Sequence, residues 1–158
     1  MKITILSVGK VKEKYLVNAI KEYSKRLGRY TKLNMITVKD EQASESLSDK
    51  EIEAVKDKEG NKLLKRLPQG FIIALDLDGE MLTSEALAKR IERIKTYHDS
   101  HIVFIIGGSL GLSKAVLKQA NLRLSFSKFT FPHQLMKVIL LEQIYRSFRI
   151  NNNEPYHK

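Results

Sequence analysis

Residues 107–111 (GGSLG) form a glycine-rich loop between an apolar run and a stretch of helical character. Such a loop can bring backbone N–H groups close to a phosphate or a nucleotide. The glycine spacing is not that of a dinucleotide-binding or Walker motif, and no Asp or Glu lies between residues 107 and 141 to hold a ribose. The loop therefore argues against a dehydrogenase and a P-loop NTPase, and it leaves ligand contact and a tight structural turn as alternatives.

Residues 125–133 (SFSKFTFPH) alternate hydroxyl and aromatic side chains. The segment is too irregular for a helix and too rich in serine for an ordinary buried strand. Aromatic faces beside exposed backbone groups can line a pocket for a small amphipathic ligand. A core loop whose hydroxyls cap the following helix explains the same pattern, and the residues alone favour this second interpretation.

The sequence ends in Tyr156, His157 and Lys158, which could contact a nucleic acid. Tyrosine and histidine can stack on a base, lysine can pair with a phosphate, and a neutral histidine can accept a proton near pH 7. Terminal segments are usually untethered. The types of these residues therefore raise a catalytic or RNA-binding role, while their position favours a free end.

Acidic and histidine residues give only weak signs of a metal site. Asp76, Asp78 and Glu80 follow an apolar run and could hold Mg²⁺, but a solvated acidic turn explains them more readily. His98 and His101 are three residues apart where a helix gives way to a strand, which is poor spacing for metal ligands. We expect no metal.

The chain has 158 residues and no cysteine. The length predicts one domain over residues 1–158, large enough to bury a core without disulfide bonds or a structural metal. The absence of cysteine excludes a thiol nucleophile, a Cys-ligated zinc and an iron–sulfur cluster, and it favours the cytoplasm. The sequence has no cleavable leader and no apolar run approaching about 18 residues, so we expect neither secretion nor a membrane span.

The net charge of +10 is concentrated at the two ends of the chain. Residues 1–30 contain eight basic and two acidic side chains, residues 31–113 twelve and fourteen, and residues 114–158 eight and two. If the ends meet in space they form one positive face, which attracts phosphate backbones through counterion release. We therefore expect contact with nucleic acid or a ribosome, although solubility alone can explain a basic chain.

Short apolar runs alternate with amphipathic stretches along the chain, which is the pattern of an α/β domain with a mostly parallel sheet flanked by helices. We predict strands at residues 3–8, 33–38, 71–75, 101–106 and 122–126, with the third and fourth at the sheet centre because they are continuously apolar. Helices are predicted to end at Gly28, to start at a Ser48–Glu51 capping box, to start at Thr83 or Ser84, and to follow Pro132 for about four turns.

Six segments taken together resemble the ribosomal RNA large subunit methyltransferase H family, within the SPOUT class of trefoil-knotted methyltransferases. They are KITILSVGK, ALDLDGE, FIIGGSLGL, LSFSKFTFPHQL, EQIYRSFRI and PYHK. The resemblance covers essentially the whole chain, and residues 40–60 are the part that matches least closely.

The resemblance implies S-adenosylmethionine as methyl donor, N3 of a pseudouridine in large-subunit (23S) ribosomal RNA as acceptor, and a homodimer. It also implies a deep trefoil knot near the C-terminus, an exception to the general absence of knots. A cofactor pocket between three strand-end loops is implied as well, and it would need no acidic ribose ligand. The residues expected to line that pocket are Leu75, Gly107, Phe126, Ser127, Lys128, Phe129, Thr130 and Phe131.

The acceptor N3 of an imide is a weak acid, so the enzyme has to favour its deprotonated form with a base or with positive charge. We expect Arg146 and the last three residues to hold the RNA and promote this step, in one chain or across a dimer interface. His133 is a second candidate base. Arg146 could instead pair with Glu142, one helical turn away.

Two alternatives to a methyltransferase are consistent with the composition. One is a catalytically silent, ribosome-associated RNA-binding module, which would have no reason to bind S-adenosylmethionine. The other is a metal-dependent nuclease built on Asp76 and Asp78, which would need a further carboxylate nearby. For the methyltransferase we expect the assembled ribosomal surface as substrate, because so small a chain offers little surface with which to select one nucleotide in free RNA.

Overall fold

Five strands and five helices alternate along the chain in the computed structural model, which describes residues 1–158. The strands are β1 (Lys2–Val8), β2 (Lys32–Val38), β3 (Phe71–Met81), β4 (His101–Ile106) and β5 (Leu122–Ser125). The helices are α1 (Lys14–Leu27), α2 (Asp49–Arg66), α3 (Ser84–Tyr97), α4 (Lys114–Gln119) and α5 (His133–Asn151). The alternation predicted from apolar periodicity is confirmed.

The strands form one sheet in the order β2-β1-β4-β3-β5, and every neighbouring pair is parallel. The predicted central position is confirmed for β4, which has β1 on one side and β3 on the other. Parallel neighbours need crossover connections, which α1 to α4 provide, and α5 follows the last strand. Because all strands point the same way, their C-terminal ends lie at one edge.

Two apolar layers cover the two faces of the sheet. The first lies between the sheet and α1, α3 and α5, and Leu27, Ile91 and Leu141 are among its buried members. The second lies between the sheet and α2 and α4, and it includes Leu63 and Val116. Side chains alternate between faces along a strand, so successive residues of β4 belong to different layers. This two-sided burial explains the continuous apolar sequence of β4.

The helix boundaries follow the capping signals in the sequence. The backbone N–H of Glu51 donates to Ser48 Oγ (3.2 Å) and the Ser48 N–H donates to Glu51 Oε1 (3.2 Å), which confirms the predicted capping box of α2. Thr83 caps α3. The last helix, α5, follows Pro132 as predicted but has 19 residues, so it is about one turn longer than expected. No helix has the length and apolar character that crossing a bilayer requires.

The third strand is longer than the apolar run that predicted it. β3 continues to Met81, and its pairing with β5 shifts register between Leu75 and Glu80. The predicted end of the strand is therefore wrong, but residues 76–79 have no partner in β5. The Asp78 N–H donates to Asp76 Oδ1 (3.2 Å), so a local acidic turn interrupts the strand after Leu75 as predicted. Pairing with β5 resumes at Glu80, and apolar periodicity cannot detect such pairing.

Close packing between α2 and α4 generates a prediction about stability. A Cβ at Gly60 would lie 2.3 Å from Ser113 Oγ and 3.3 Å from Val116 Cγ2. Ser113 Oγ also accepts the Val116 N–H (3.3 Å) and so caps α4. Gly60→Ala should displace that hydroxyl and lower the free energy of unfolding by about 1–3 kcal/mol, measured by urea denaturation.

The control is the same substitution in a Ser113→Ala background, where the hydroxyl that the new methyl group would meet is gone. Gly60→Ala should cost clearly less there. An equal cost in both backgrounds would show that the contact between Gly60 and Ser113 does not limit the packing of α2 on α4.

Candidate functional site

A cavity of about 540 Å³ opens at the edge of the sheet where β3, β4 and β5 end, and we call it the large cavity. This volume lies within the range of roughly 300–1,000 Å³ found for small-molecule sites. The lining comes mainly from the irregular part of β3, the loop after β4, and the end of β5 with the segment that follows it. One residue of α2 and two each of α4 and α5 complete it. It consists of Lys56, residues 75–78, residues 106–112, Lys114, Leu117, residues 123–127, residues 129–131, His133 and Met136.

The glycine loop (residues 107–111) forms one wall of the large cavity. It closes on itself, because the Gly111 N–H donates to Gly108 O (3.1 Å) and Gly111 has φ +91°. A Cβ at Gly107 would lie 2.8 Å from the carbonyl carbon of Gly111. The two interpretations of this loop are therefore compatible: the glycines permit a tight turn, and that turn presents backbone groups to the cavity.

Glu59 lies behind the glycine loop, and no sequence pattern predicted this position. Its carboxylate is buried, accepts the N–H of Glu41 (3.0 Å), and sits 3.0 Å from where a Cβ on Gly108 would be. Burial raises the pKa of Glu59 because it disfavours the charged form. The residue belongs to a highly charged helix, so only the fold distinguishes it from its exposed neighbours.

The hydroxyl–aromatic segment (residues 125–133) forms a second wall. Ser125 Oγ donates to Ser127 O (3.1 Å), and Ser127 Oγ accepts the N–H of Phe129 (3.0 Å). The N-cap of α5 is Pro132, which makes no side-chain cap hydrogen bond, so the expectation that these hydroxyls cap the following helix is wrong. The hydroxyls instead shape the segment itself.

The structure brings together most of the residues proposed for the cofactor pocket. Leu75, Gly107, and the segment 126–131 apart from Lys128 line the large cavity. Lys128 is exposed and is not part of the lining. The ring of Phe129 lines the cavity while remaining 76 % exposed, which places it at the mouth.

His133, the first residue of α5, also lines the large cavity. It lies against the end of β1, since a Cβ on Gly9 would be 3.4 Å from His133 Nε2. Gly9 has φ +88°, a conformation that favours glycine, and its N–H donates to Val38 O (2.9 Å). The ends of β1 and β2 therefore meet the start of α5 beside the cavity.

The carboxylates considered for a metal site do not converge on one point. Asp76 is 3.8 Å from Arg123 Nη1, and Glu80 pairs with Arg90 (3.2 Å). His101 forms a hydrogen bond with Thr4 instead (2.8 Å between Nε2 and Oγ1). No group of three or more His, Asp or Glu side chains is arranged to hold a metal ion. The pairing of Asp76 with a cation gives it a role in the cavity wall.

The C-terminal residues are held in place, so the expectation of a free end is wrong. The side chains of Glu85, Glu142, Arg146, Tyr156 and His157 form what we call the tail cluster. The Arg146 guanidinium pairs with Glu142 (2.6 Å), donates to His157 Nδ1 (3.0 Å) and lies 4.7 Å from the centre of the Tyr156 ring. The suggested ion pair with Glu142 is present, and the same guanidinium also holds the tail.

Hydrogen bonding fixes the protonation pattern of the tail cluster. Arginine can only donate, so Nδ1 of His157 is the acceptor, and Nε2 carries the proton that it donates to Glu85 Oε1. The Glu85 backbone N–H and His157 lower the pKa of Glu85, and the hydrogen bond with Glu142 raises the pKa of Arg146. Burial raises the pKa of Tyr156. The guanidinium is therefore fixed between the Glu142 carboxylate, which balances its charge, and the His157 ring.

A second group of contacts, which we call the tail anchor, fixes the backbone just before Tyr156. Arg149 Nη1 donates to Glu154 Oε2 (2.7 Å) and to Tyr30 Oη (3.0 Å), while Arg149 Nη2 donates to the carbonyl oxygen of Pro155 (2.7 Å). Tyr30 Oη in turn donates to Glu154 Oε1 (2.8 Å). The tail is thereby tied to α5 and to the end of α1.

The tail cluster and the large cavity lie at different places along α5. Met136 lines the cavity and Arg146 belongs to the tail cluster, and a separation of ten residues corresponds to about 15 Å along a helix. A small cavity of about 230 Å³ lies between them, bordered by Phe126 and Phe131 on one side and by Ser84 and Gln143 on the other. One chain thus contains two separate polar centres joined by an apolar depression.

The chain matches a family of methyltransferases over its whole length. A family model described as "Predicted SPOUT methyltransferase" matches residues 1–157. The chain is 58% identical to the Ribosomal RNA large subunit methyltransferase H of Clostridium botulinum (strain Alaska E43 / Type E3), in an alignment of 159 residues that covers 100% of both chains.

Solved structures show the same fold at low sequence identity. A methylase family protein of Haemophilus influenzae Rd KW20 has a TM-score of 0.56 and 12% identity, covering 99% of this chain and 70% of that chain. A Legionella pneumophila protein in complex with the cofactor SAM has a TM-score of 0.50 and 11% identity, covering 94% of this chain and 66% of that chain. These two likenesses establish the fold alone.

The buried carboxylate of Glu59 generates a prediction about pH. Folding raises the pKa of Glu59, so the ionised side chain lowers the free energy of unfolding. This loss is absent below the pKa that Glu59 has in the unfolded chain. It appears as pH rises through the pKa of Glu59 in the folded protein. Glu59→Gln cannot ionise and keeps an acceptor for the Glu41 N–H. Its free energy of unfolding should exceed that of the parent at pH 7, and the difference should shrink towards pH 4.

Glu41→Gln is the matched control, because the hydrogen bond with Lys62 lowers the pKa of Glu41. That substitution should act in the opposite direction and weaken the protein at pH 7. A Glu59→Gln variant that is less stable than the parent across the whole pH range would contradict this assignment of the buried charge.

Proposed function

Because the chain belongs to the SPOUT methyltransferase family, we propose that it transfers a methyl group from S-adenosylmethionine to large-subunit ribosomal RNA. The large cavity is the observation that carries this proposal: the irregular part of β3 and the segments after β4 and β5 enclose about 540 Å³ at one edge of a parallel sheet. The C. botulinum relative carries the name of such an enzyme. The deep C-terminal knot stays a prediction that family membership favours.

The residues that line the large cavity suit a methyl donor of this kind. Phe126, Phe129 and Phe131 offer apolar faces, and the glycine loop offers backbone groups from a tight turn that a Cβ at Gly107 would disrupt. Bound S-adenosylmethionine supplies a methyl group activated by a sulfonium. Leu75, Gly107, Phe126, Ser127 and residues 129–131 would hold it, and no acidic ribose ligand is needed when backbone groups make the polar contacts.

The protein contributes alignment and the exclusion of water to this reaction. Methyl transfer is a displacement at carbon, so rate depends on holding donor and acceptor in line and on removing bulk water from the reacting atoms. The apolar faces around the cavity exclude water. The tail anchor helps to align the acceptor, since Arg149 and Glu154 fix the chain that carries Tyr156 and His157.

We propose N3 of a pseudouridine as the methyl acceptor and the tail cluster as the group that prepares it. The positive charge of Arg146 would favour the deprotonated imide, while His157 orients the guanidinium and Glu85 fixes the tautomer of His157. In this arrangement Nδ1 of His157 already accepts from Arg146, so proton acceptance by His157 requires that contact to open. His133, which lines the large cavity, is the second candidate base.

We further propose a homodimer in which each active site combines the large cavity of one chain with the tail cluster of the other. The distance of about 15 Å along α5 separates the two centres within one chain. The small cavity between them leaves apolar side chains of both neighbourhoods uncovered. A symmetric pairing across this surface would bring each cavity to the tail cluster of the other copy.

Calorimetric titration with S-adenosylmethionine tests the donor site. The parent should show saturable binding. Phe129→Asp should lose it, because the substitution replaces an apolar ring at the cavity mouth with a charged carboxylate. Tyr97→Asp is the matched control, since both aromatic side chains are 76 % exposed and Tyr97 does not line the cavity. Absence of binding by the folded parent would favour the catalytically silent RNA-binding module.

Arg146→Lys tests the acceptor role of the tail cluster. Lysine keeps the charge but lacks the planar guanidinium that donates to both Glu142 and His157. Methyl transfer to large ribosomal subunits should therefore fall on the order of 100-fold. The melting temperature and the affinity for S-adenosylmethionine should be unchanged. Mass spectrometry of the nucleosides locates the methyl group, and a product other than N3-methylpseudouridine would contradict the proposed acceptor. Full activity of Arg146→Lys would remove Arg146 from the mechanism.

A further inference from the structure

The segment that joins β1 to α1 carries a concentration of exposed positive charge. Within residues 9–15, which we call the β1–α1 segment, Lys10, Lys12 and Lys14 are all exposed, against the single acidic residue Glu13. None of the three lysines forms an ion pair, whereas several exposed cations elsewhere do, among them Arg26 and Arg90. Their charge is therefore available to a partner.

The stability of α1 does not explain this arrangement. Cations near the start of a helix oppose its dipole, and acidic side chains are favoured there. The first turn of α1 contains no acidic residue, and Glu13 at the N-cap makes no side-chain cap hydrogen bond. Tyr15 is 70 % exposed and makes no aromatic contact or side-chain hydrogen bond within the chain. Tyr15 therefore offers an apolar face and the unpaired lysines beside it offer charge, and neither takes part in a contact within the chain.

The position of the β1–α1 segment connects it to the large cavity. The segment begins at Gly9, which lies against His133 in the cavity wall. β1 ends at the same edge of the sheet as β3, β4 and β5, because all of these strands are parallel. The lysines and Tyr15 therefore flank the region where an acceptor has to approach the cavity.

We propose that the β1–α1 segment is a docking surface for the sugar–phosphate backbone of the acceptor RNA, with Lys10, Lys12 and Lys14 on phosphates and Tyr15 stacked on an unpaired base. This inference rests on the proposed function. Lysines bind phosphate through charge and counterion release, and tyrosine stacks on any base. A second copy of the chain is the less suitable occupant, because it carries a net charge of +10 and would bring further positive charge to this surface.

Binding to purified large ribosomal subunits at several salt concentrations tests the proposal. A variant with Lys10→Gln, Lys12→Gln and Lys14→Gln should bind more weakly at low salt. The slope of log affinity against log salt concentration should be smaller in magnitude by up to about 2–3, because each lost phosphate contact removes roughly 0.7–0.9 from that slope. The KM for subunits should rise while kcat and the affinity for S-adenosylmethionine stay unchanged.

The control removes the same number of charges at the opposite edge of the sheet. Lys2 and Lys32 are exposed at the starts of β1 and β2, and Lys65 is exposed at the end of α2. The variant Lys2→Gln, Lys32→Gln, Lys65→Gln has the same net charge as the first. It should keep the affinity and the salt slope of the parent more closely than the first variant does.

Tyr15 is tested by two substitutions that separate stacking from hydrogen bonding. Tyr15→Phe keeps the aromatic face and should bind subunits like the parent. Tyr15→Ala should weaken binding by on the order of 5-fold or more, as loss of one stacked base requires. Equal binding by Tyr15→Ala and the parent would remove the stacking contact.

Three results would overturn the docking surface: equal salt slopes for the two triple variants, unchanged subunit binding by the first of them, or a changed sedimentation coefficient showing that the segment covers a second copy.

The proposed function fails separately. If the parent binds no S-adenosylmethionine and transfers no methyl group, yet the first triple variant loses subunit binding, the docking surface is supported and the chain is an RNA-binding module.

Discussion

Parallel pairing of all five strands is the constraint on which the rest of the structure depends. Because every strand points the same way, the irregular part of β3 and the segments after β4 and β5 lie at one edge and can enclose the large cavity between them. The same pairing brings the end of β1 to the side of that cavity, where Gly9 lies beside His133. A cavity built from strand ends needs few dedicated charged side chains, and its walls consist largely of leucine, phenylalanine, glycine and serine.

The long helix α5 divides the chemistry into two centres. Its first turns contribute His133 and Met136 to the large cavity, and its later turns hold Arg146 and Arg149. A helix is rigid over this distance, so the two centres of one chain cannot approach each other. The tail anchor then fixes the backbone that leads to His157, because Arg149 bonds Glu154 and the carbonyl oxygen of Pro155. Methyl donor and acceptor site would in this way be kept apart until a second chain completes them.

Much of the fold could be predicted from local patterns, and the remainder depends on contacts distant in sequence. The apolar runs of β1 and β4 and the Ser48–Glu51 capping box are local signals, and each was confirmed. The end of β3 was missed because pairing with β5 continues the strand past Leu75. The order of the tail depends on Tyr30, which lies 124 residues from Glu154, so no local rule could find it. In the cavity, residue types drew attention to the glycine loop and the hydroxyl–aromatic segment, and the family resemblance added Leu75, whereas the burial of Glu59 is a property of packing alone.

The central claim is that one active site combines the large cavity of one chain with the tail cluster of another, and subunit mixing tests it most directly. Phe129→Asp impairs the cavity and Arg146→Ala impairs the tail cluster, so each variant alone should be inactive on large ribosomal subunits. After dissociation and reassociation of an equimolar mixture, half of the dimers are mixed, and each contains one site with both parts intact. The account predicts recovery of about one quarter of the parent activity. Activity that stays at the level of the separate variants would contradict it, because each site would then be built within a single chain.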